Sequence, residues 1–386
     1  MTNWPTKKLG EICEIISPGI KKFEGSKKYI ATADVNFDEI INFTEVTYNN
    51  RPGRANVEVK ENDVLVARMA ETKKFLIVDK KFQDNYIFST GFVALRTKKE
   101  LFPKSLFYFL TTKNFNIQKN KLAVGATQKA INNPALKKIK IPLPPLNIQK
   151  QIVERLDKIV ETQKLNDGLI QKADELFQSF LHKELSPAGK DWEMKKIKNV
   201  AVVKNGGTPD TKNSKYWNGK VLWLTPKELS GIEDMEVFNT ERKISDEGLK
   251  HSSATFLPTG TVLLTSRAPI GYIAIAGVPM ATNQGFKNFI CNKKLLDNKF
   301  LYFFLRLKTK YLQSLGRGAT FIEISKTTVE KLDIPIPPLE TQKQIVAKLS
   351  AVQDYKTQLL NQKNKLKELF GSVLHKSMQN DSVLSR

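Results

Sequence analysis

The chain contains one unit written twice, and any fold it adopts has to accommodate that duplication. The segment from Gly125 to Lys183 returns as Gly318 to Lys376 at a constant offset of 193. Gly125-Ala-Thr127 matches Gly318-Ala-Thr320, and Ile141-Pro-Leu-Pro-Pro-Leu146 matches Ile334-Pro-Ile-Pro-Pro-Leu339. Gln149-Lys-Gln-Ile-Val153 then matches Gln342-Lys-Gln-Ile-Val346, and the repeat closes with Leu181-His-Lys183 against Leu374-His-Lys376. Weaker echoes lie upstream. Trp4 and Lys7-Lys8-Leu9 align with Trp192 and Lys195-Lys196-Ile197, Val64 to Arg68 with Leu263 to Arg267, Gly91-Phe92 with Gly285-Phe286, and Leu106 to Leu110 with Leu301 to Leu305. The offset drifts from 188 through 199 to 193, so the lobes differ by insertions while the segments after them are equal in length.

Each copy reads as a mixed lobe followed by a long helix. Short apolar runs such as Val64 to Ala67 and Thr261 to Thr265, set between glycine and asparagine turns, predict strands. Pro144-Pro145 and Pro337-Pro338 cannot lie within a helix and mark where each lobe ends. Beyond them Leu156, Ile159, Ile170, Ala173, Phe177 and Phe180 fall at alternating three and four spacing, interrupted by Gln163 and Asn166. Leu349, Val352, Leu359, Leu366, Phe370 and Val373 repeat the stripe, interrupted by Lys356 and Lys363. Such a stripe predicts a coiled-coil seam. The alternative is two separate amphipathic helices, each covering its own lobe. About 38 residues make a rod of ~57 Å, more than one small lobe needs, which favours the seam. The expected architecture is α+β: two related lobes of mixed, mainly antiparallel sheet and helices, joined by two long helices in an antiparallel coiled coil with pseudo-twofold symmetry. The expected boundaries are 1–146 and 186–339 for the lobes, 147–185 and 340–378 for the helices, and 379–386 for a tail.

Charge indicates the kind of partner. Lysine and arginine number 62 against 39 acidic residues, a net charge of +23 that calls for a polyanion. The excess sits in the lobes, which carry +11 (1–146) and +9 (186–339), whereas 147–185 carries −1. Nucleic acid and anionic membrane both qualify on charge, but no apolar run approaches the roughly twenty residues of a membrane span. Met1 to Gly10 does not read as a signal peptide, and Cys13 and Cys291, each within an apolar run, read as buried free thiols suited to a reducing cytoplasm.

Candidate contacts are basic or amide side chains in the turns. Arg51-Pro-Gly-Arg54 presents two guanidinium groups, and arginine pairs bidentately with guanine O6 and N7. Asn205 to Lys212 forms a polar loop leading through Lys215 to Tyr216-Trp217, and Asn283-Gln284 matches the adenine edge. Lys21, Lys22, Arg68, Thr90, Gln128, Thr208, Lys227, Arg267, Lys287 and Arg317 complete the set. Runs such as Lys80-Lys81 and Lys293-Lys294 read as solvated faces.

Catalytic signatures are missing. Glu71-Thr-Lys73 is half of a nuclease motif and reads as coincidence in a lysine-rich chain. Asn132-Asn-Pro-Ala135 lacks the second proline and the aromatic residue of an adenine methyltransferase loop, no Gly-Lys-Ser/Thr cradle exists, and Gly206-Gly207 reads as a turn. His182 and His375 close the two repeated helices and His251 stands alone, so metal ligation is not expected.

The twice-repeated proline block and Gln-Lys-Gln-Ile-Val, together with Ser266-Arg-Ala-Pro-Ile-Gly271 and Asn283-Gln-Gly-Phe286, resemble the specificity subunit of type I restriction-modification enzymes across essentially the whole chain. The resemblance implies two target recognition domains that read the halves of a split double-stranded DNA sequence, and helices that set the unread spacer. It further implies docking of two adenine methyltransferase subunits using S-adenosylmethionine and of a motor-nuclease subunit using ATP and Mg2+, with no cofactor and no catalysis on this chain. Arg68-Met-Ala-Glu71 and Ser89-Thr-Gly-Phe92 of the first lobe depart from the pattern of the second.

Overall fold

The structure, a computed structural model, describes residues 4–232, 234–267, 269–316 and 323–378. Contacts divide the chain into two compact units, Met1–Asp167 with Asn361–Arg386, and Gly168–Leu360. Each unit holds one lobe and part of both long helices.

In the first lobe, Cys13–Ile15, Phe92–Thr97, Val64–Ala67 and Phe75–Ile77 form an antiparallel sheet in that order. A second sheet orders Thr44–Val46, Lys27–Ile30, Tyr86–Ser89 and Ala55–Val57, its middle pair parallel. Thr6–Lys8 pairs with Lys140–Pro142, so the ends of the lobe are tied together. Helix Pro103–Leu110 is almost wholly buried against the first sheet, with Phe75, Phe109 and Phe115 meeting edge to face. Such rings pack well at centroid separations of 4.5–7 Å, roughly the spacing found here.

The second lobe repeats this plan. Ala201–Asn205, Phe286–Cys291, Val262–Thr265 and Ile273–Ala276 follow the same order, and Glu236–Val237 adds a parallel edge strand. Lys243–Ile244, Trp217–Leu224 and Ala281–Thr282 make the smaller sheet, and Glu193–Lys196 with Asp333–Ile336 closes the lobe.

The ladders correct one sequence match. Phe92 faces Ala67 as Phe286 faces Thr265, and Arg68 donates its N–H to the Gly91 carbonyl as Ser266 does to Gly285. Arg68 therefore corresponds to Ser266, one residue short of the sequence match to Arg267. Arginine identity drew the alignment, but backbone pairing sets the register, and a one-residue slip sends a side chain to the opposite face.

The long helices span Leu146–Leu185 and Leu339–Met378, each 40 residues and each starting directly after a double proline. Their apolar stripe does two jobs. In the first unit, Ile152, Val153 and Leu156 enter the lobe core beside Leu374 and Met378, with Phe370 and Val373 packed against it. In the second, Phe177, Leu181 and Leu185 enter the lobe core beside Ile345 and Leu349, with Phe180 and Val352 packed against it. Ile159, Ala173 and Leu359 are also buried, and Ile170 and Leu366 are half-covered. The expected seam thus doubles, at the helix ends, as lobe core. Its pairing is antiparallel within each unit: Glu184 with Lys348 (3.5 Å) and Asp174 with Lys356 (2.5 Å) in one, Asp167 with Lys363 (2.9 Å) in the other. These exposed ion pairs fix orientation more than stability.

What anchors helix to lobe is the first glutamine of the repeated Gln-Lys-Gln motif. Gln149 is fully buried; its amide donates to the carbonyls of Glu100 (2.9 Å) and Pro144 (2.8 Å), and its oxygen accepts from the Phe102 N–H (2.8 Å). Gln342 is equally buried and makes the same three bonds, to the carbonyls of Leu295 and Pro337 (2.9 Å each) and from the Asp297 N–H (2.8 Å).

Burial raises the Cys13 and Cys291 thiols to about 12, which keeps both protonated, although Cys291 is only partly covered. No helix among the described residues is long and apolar enough to cross a membrane.

Candidate nucleic-acid interface

Hydrogen bonds between distant turns join the loops that carry several candidate cations of the first lobe. The Thr90 N–H donates to the Arg54 carbonyl (2.9 Å), Arg68 Nε to the Thr90 carbonyl (3.1 Å), and the Ala70 N–H to the Lys129 carbonyl (2.8 Å). This links the 51–54 turn, the 89–91 turn, the 68–73 loop and the exposed 124–130 loop that carries Gln128. Gly125, at φ 138°, permits the tight return of that loop, where a Cβ would strike the Gln128 carbonyl. Lys21 and Lys22 lie exposed in a segment held by the Gly19 N–H on the Asn56 carbonyl (2.8 Å). Arg51 stacks on Tyr48 at 4.0 Å and donates to the Tyr48 carbonyl, while Arg54 is free to project into solvent.

Arg68 is placed differently from a surface contact. It bonds Thr90 and Asn133 Oδ1 (2.8 Å), and burial holds its guanidinium below the usual arginine range. Asn132 caps the short helix Asn133–Leu136, so the Asn-Asn-Pro-Ala segment is a helix start.

The second lobe builds the matching edge with different chemistry. Ser266 Oγ and Lys287 Nζ both meet Glu323 (3.3 and 3.0 Å), and Arg267 pairs with it at 3.5 Å. Lys287, only 5% exposed, is an internal partner of that carboxylate. Asn283 Oδ1 accepts from the Gly285 N–H (2.8 Å), Gln284 is exposed and meets the Thr208 hydroxyl, and Lys212, Lys215 and Lys227 point to solvent. Gly206 and Gly207 serve close approach and not merely a turn: a Cβ on the first would collide with the Asn283 carbonyl, and on the second with the backbone of Ser253 and Ala254. Two indoles back the loop they open, Trp223 donating to the Gly207 carbonyl (2.9 Å) and Trp217 to the Asp210 carbonyl (3.1 Å). Arg317 lies outside the described residues.

Sequence reasoning missed Lys27 over Phe23 (5.3 Å), Lys28 over Phe43 (4.2 Å) and Arg242 over Trp217 (4.1 Å). Lys28 and Arg242 meet their rings where strands pair, which residue order does not announce, whereas Lys27 and Phe23 lie only four residues apart. No group of three or more His, Cys, Asp or Glu able to hold a metal exists among the described residues, and Glu71 and Lys73 are simply exposed.

Among the described residues, one buried cation has no carboxylate partner. Lys119, fully buried, donates to the Thr72 carbonyl (2.6 Å) and tethers the 68–73 loop, and desolvation lowers its pKa from 10.5 to about 8. A folded pKa below the unfolded one adds stability that is present above pH 10.5 and is lost as pH falls through 8. Relative to Lys119→Met, the wild-type chain should therefore gain about 3 kcal/mol as pH rises from 7 to above 10.5. Paired denaturant titrations across that interval check this; a pH-independent difference would refute it.

Fold and edge together define a class: an internally duplicated, basic, two-lobed chain whose long helices are built into both lobe cores. The type I restriction modification DNA specificity domain matches residues 1–175 and 189–368, and the chain belongs to that family. The MjaIX type I restriction enzyme specificity subunit of Methanocaldococcus jannaschii is 39% identical over 196 residues, half of this chain and 44% of that one. The putative MjaX specificity subunit of the same organism is 27% identical over 97% of this chain and 92% of its own. In fold, the HsdS subunit from Thermoanaerobacter tengcongensis superposes with a TM-score of 0.55 at 22% identity, covering 98% of this chain and 97% of its own.

Proposed function

We propose that this chain selects DNA sequence for a type I restriction-modification complex, with lobe 1–146 reading one half of a bipartite target and lobe 186–339 the other. Segments 147–185 and 340–378 act as the spacer, two adenine methyltransferase subunits dock on the chain, and a motor-nuclease subunit is directed by it. S-adenosylmethionine, ATP and Mg2+ belong to those partners, in the cytoplasm. The observation that carries this reading is the matching edge in both lobes, where turns distant in sequence are bonded together and cationic or amide side chains are left facing solvent. Phosphate contacts from lysines would supply affinity, and arginine, asparagine and glutamine at base edges would supply choice. Major grooves recur on one face of the duplex about every 34 Å, an interval that a rod of ~60 Å can bridge when its lobes lean inward.

The test maps methylated adenines in cells carrying the chain with its methyltransferase, then replaces residues 1–146 with the lobe of another family member. One half of the two-part motif should change while the other half and the gap persist. Simultaneous change of both halves, or of neither, refutes the assignment of one half to each lobe.

A further inference from the structure

Arg242 was not singled out by any sequence pattern, yet it is exposed and packed against two rings. Its guanidinium lies over two rings, 4.1 Å from Trp217 and 4.9 Å from Trp223, which themselves meet edge to face at 5.1 Å. The backbone is held as firmly: the Arg242 carbonyl accepts from the Trp223 N–H (3.1 Å) and from the Thr240 hydroxyl (2.6 Å). Both indoles in turn hold carbonyls of the 206–212 loop. Despite that order the side chain remains exposed and forms no salt bridge among the described residues. Arg267, by contrast, is paired with Glu323. Arg51 of the first lobe shares the device, stacked on Tyr48 at 4.0 Å beside the edge of the corresponding small sheet.

Phosphate accepts the arginine fork too, but a flexible point charge such as lysine also binds it. A guanidinium whose plane and reach are preset loses less rotamer freedom when it forms two parallel bonds, and guanine O6 and N7 accept such a fork. Stacking on an indole also leaves the edge N–H groups of the fork available. We infer that Arg242 is a base-reading residue of the second lobe, recognising a guanine edge in the half-site that this lobe contacts, with Trp217 and Trp223 as its positioning residues. The inference rests on the DNA-recognition reading above and adds a named contact to it.

The experiment uses the full chain with its methyltransferase and reads the methylated motif from wild type, Arg242→Ala and Arg242→Lys. Lysine keeps the charge and the stem but loses the fork, so it separates base reading from phosphate neutralisation and guards against a folding defect in the alanine variant. Both variants should relax the preference for guanine at one position of one half-site by roughly ten- to a hundredfold, leaving the other half and the gap intact. A motif unchanged in both variants, or methylation weakened evenly at every site in the alanine variant and restored by lysine, overturns the assignment of Arg242 alone. A wild-type chain that imposes no two-part motif overturns the underlying reading as well.

Discussion

Gln149→Ala is expected to cost about 3 kcal/mol of stability, whereas Gln151→Ala, two residues along the same helix, should change it by less than about 0.5 kcal/mol. The two glutamines share a motif and a helix but not an environment, since Gln149 is fully buried and Gln151 is exposed. Alanine at 149 removes three bonds and strands the Phe102 N–H and two carbonyls where the helix enters the lobe. A hydrogen bond contributes about 1 kcal/mol net, and a buried group left unsatisfied costs about 1–3 kcal/mol, so the loss exceeds that of an ordinary surface change several-fold. Gln342→Ala should reproduce it in the other unit, with Gln344 as the exposed control. Denaturant midpoints of the four variants settle the matter, and equal midpoints for 149 and 151 would mean that the buried amide is not the anchor.

If the long helices space two half-sites as proposed, removing seven residues from the middle of each should shorten the gap between the recognised base clusters by about 3 base pairs while leaving both clusters unchanged. Seven residues are close to two turns, or ~10.5 Å at 1.5 Å per residue, so the apolar stripe returns to phase. At ~3.4 Å per base pair that length is about three pairs. The ends of each helix are built into lobe cores, through Leu156 and Leu374 in one unit and Phe177 and Leu349 in the other, so the excised segments must come from between them. Shortening one helix alone should abolish sequence-directed methylation, because its partner would no longer match it in length. Methylome mapping reads both outcomes, and an unaltered gap after the paired deletion would defeat the spacer role.

Much of the architecture was legible in the sequence. The duplication, the start of each long helix after a double proline, and the strands expected at 64–67 and 261–265 and found at Val64–Ala67 and Val262–Thr265 follow from local rules: proline cannot continue a helix, and short apolar runs between turn formers make strands. The candidate site was legible only as a set of loops. Within those loops the roles divided in ways that residue type does not encode. Arg68 and Lys287 looked like surface contacts and are engaged internally, by Asn133 and by Glu323 respectively. Lys119 drew no notice and is buried, and Arg242 drew none and is exposed on two indoles.

What the sequence by itself determined was the doubling, the net charge and its location in the lobes, and the places where helices begin, because these depend on residues near one another in the chain. The tertiary structure alone decided strand register, which glutamine of Gln-Lys-Gln is the anchor, and which cations stay available for a partner. Each of those depends on acceptors, carboxylates or rings that the fold brings alongside, many of them from tens of residues away.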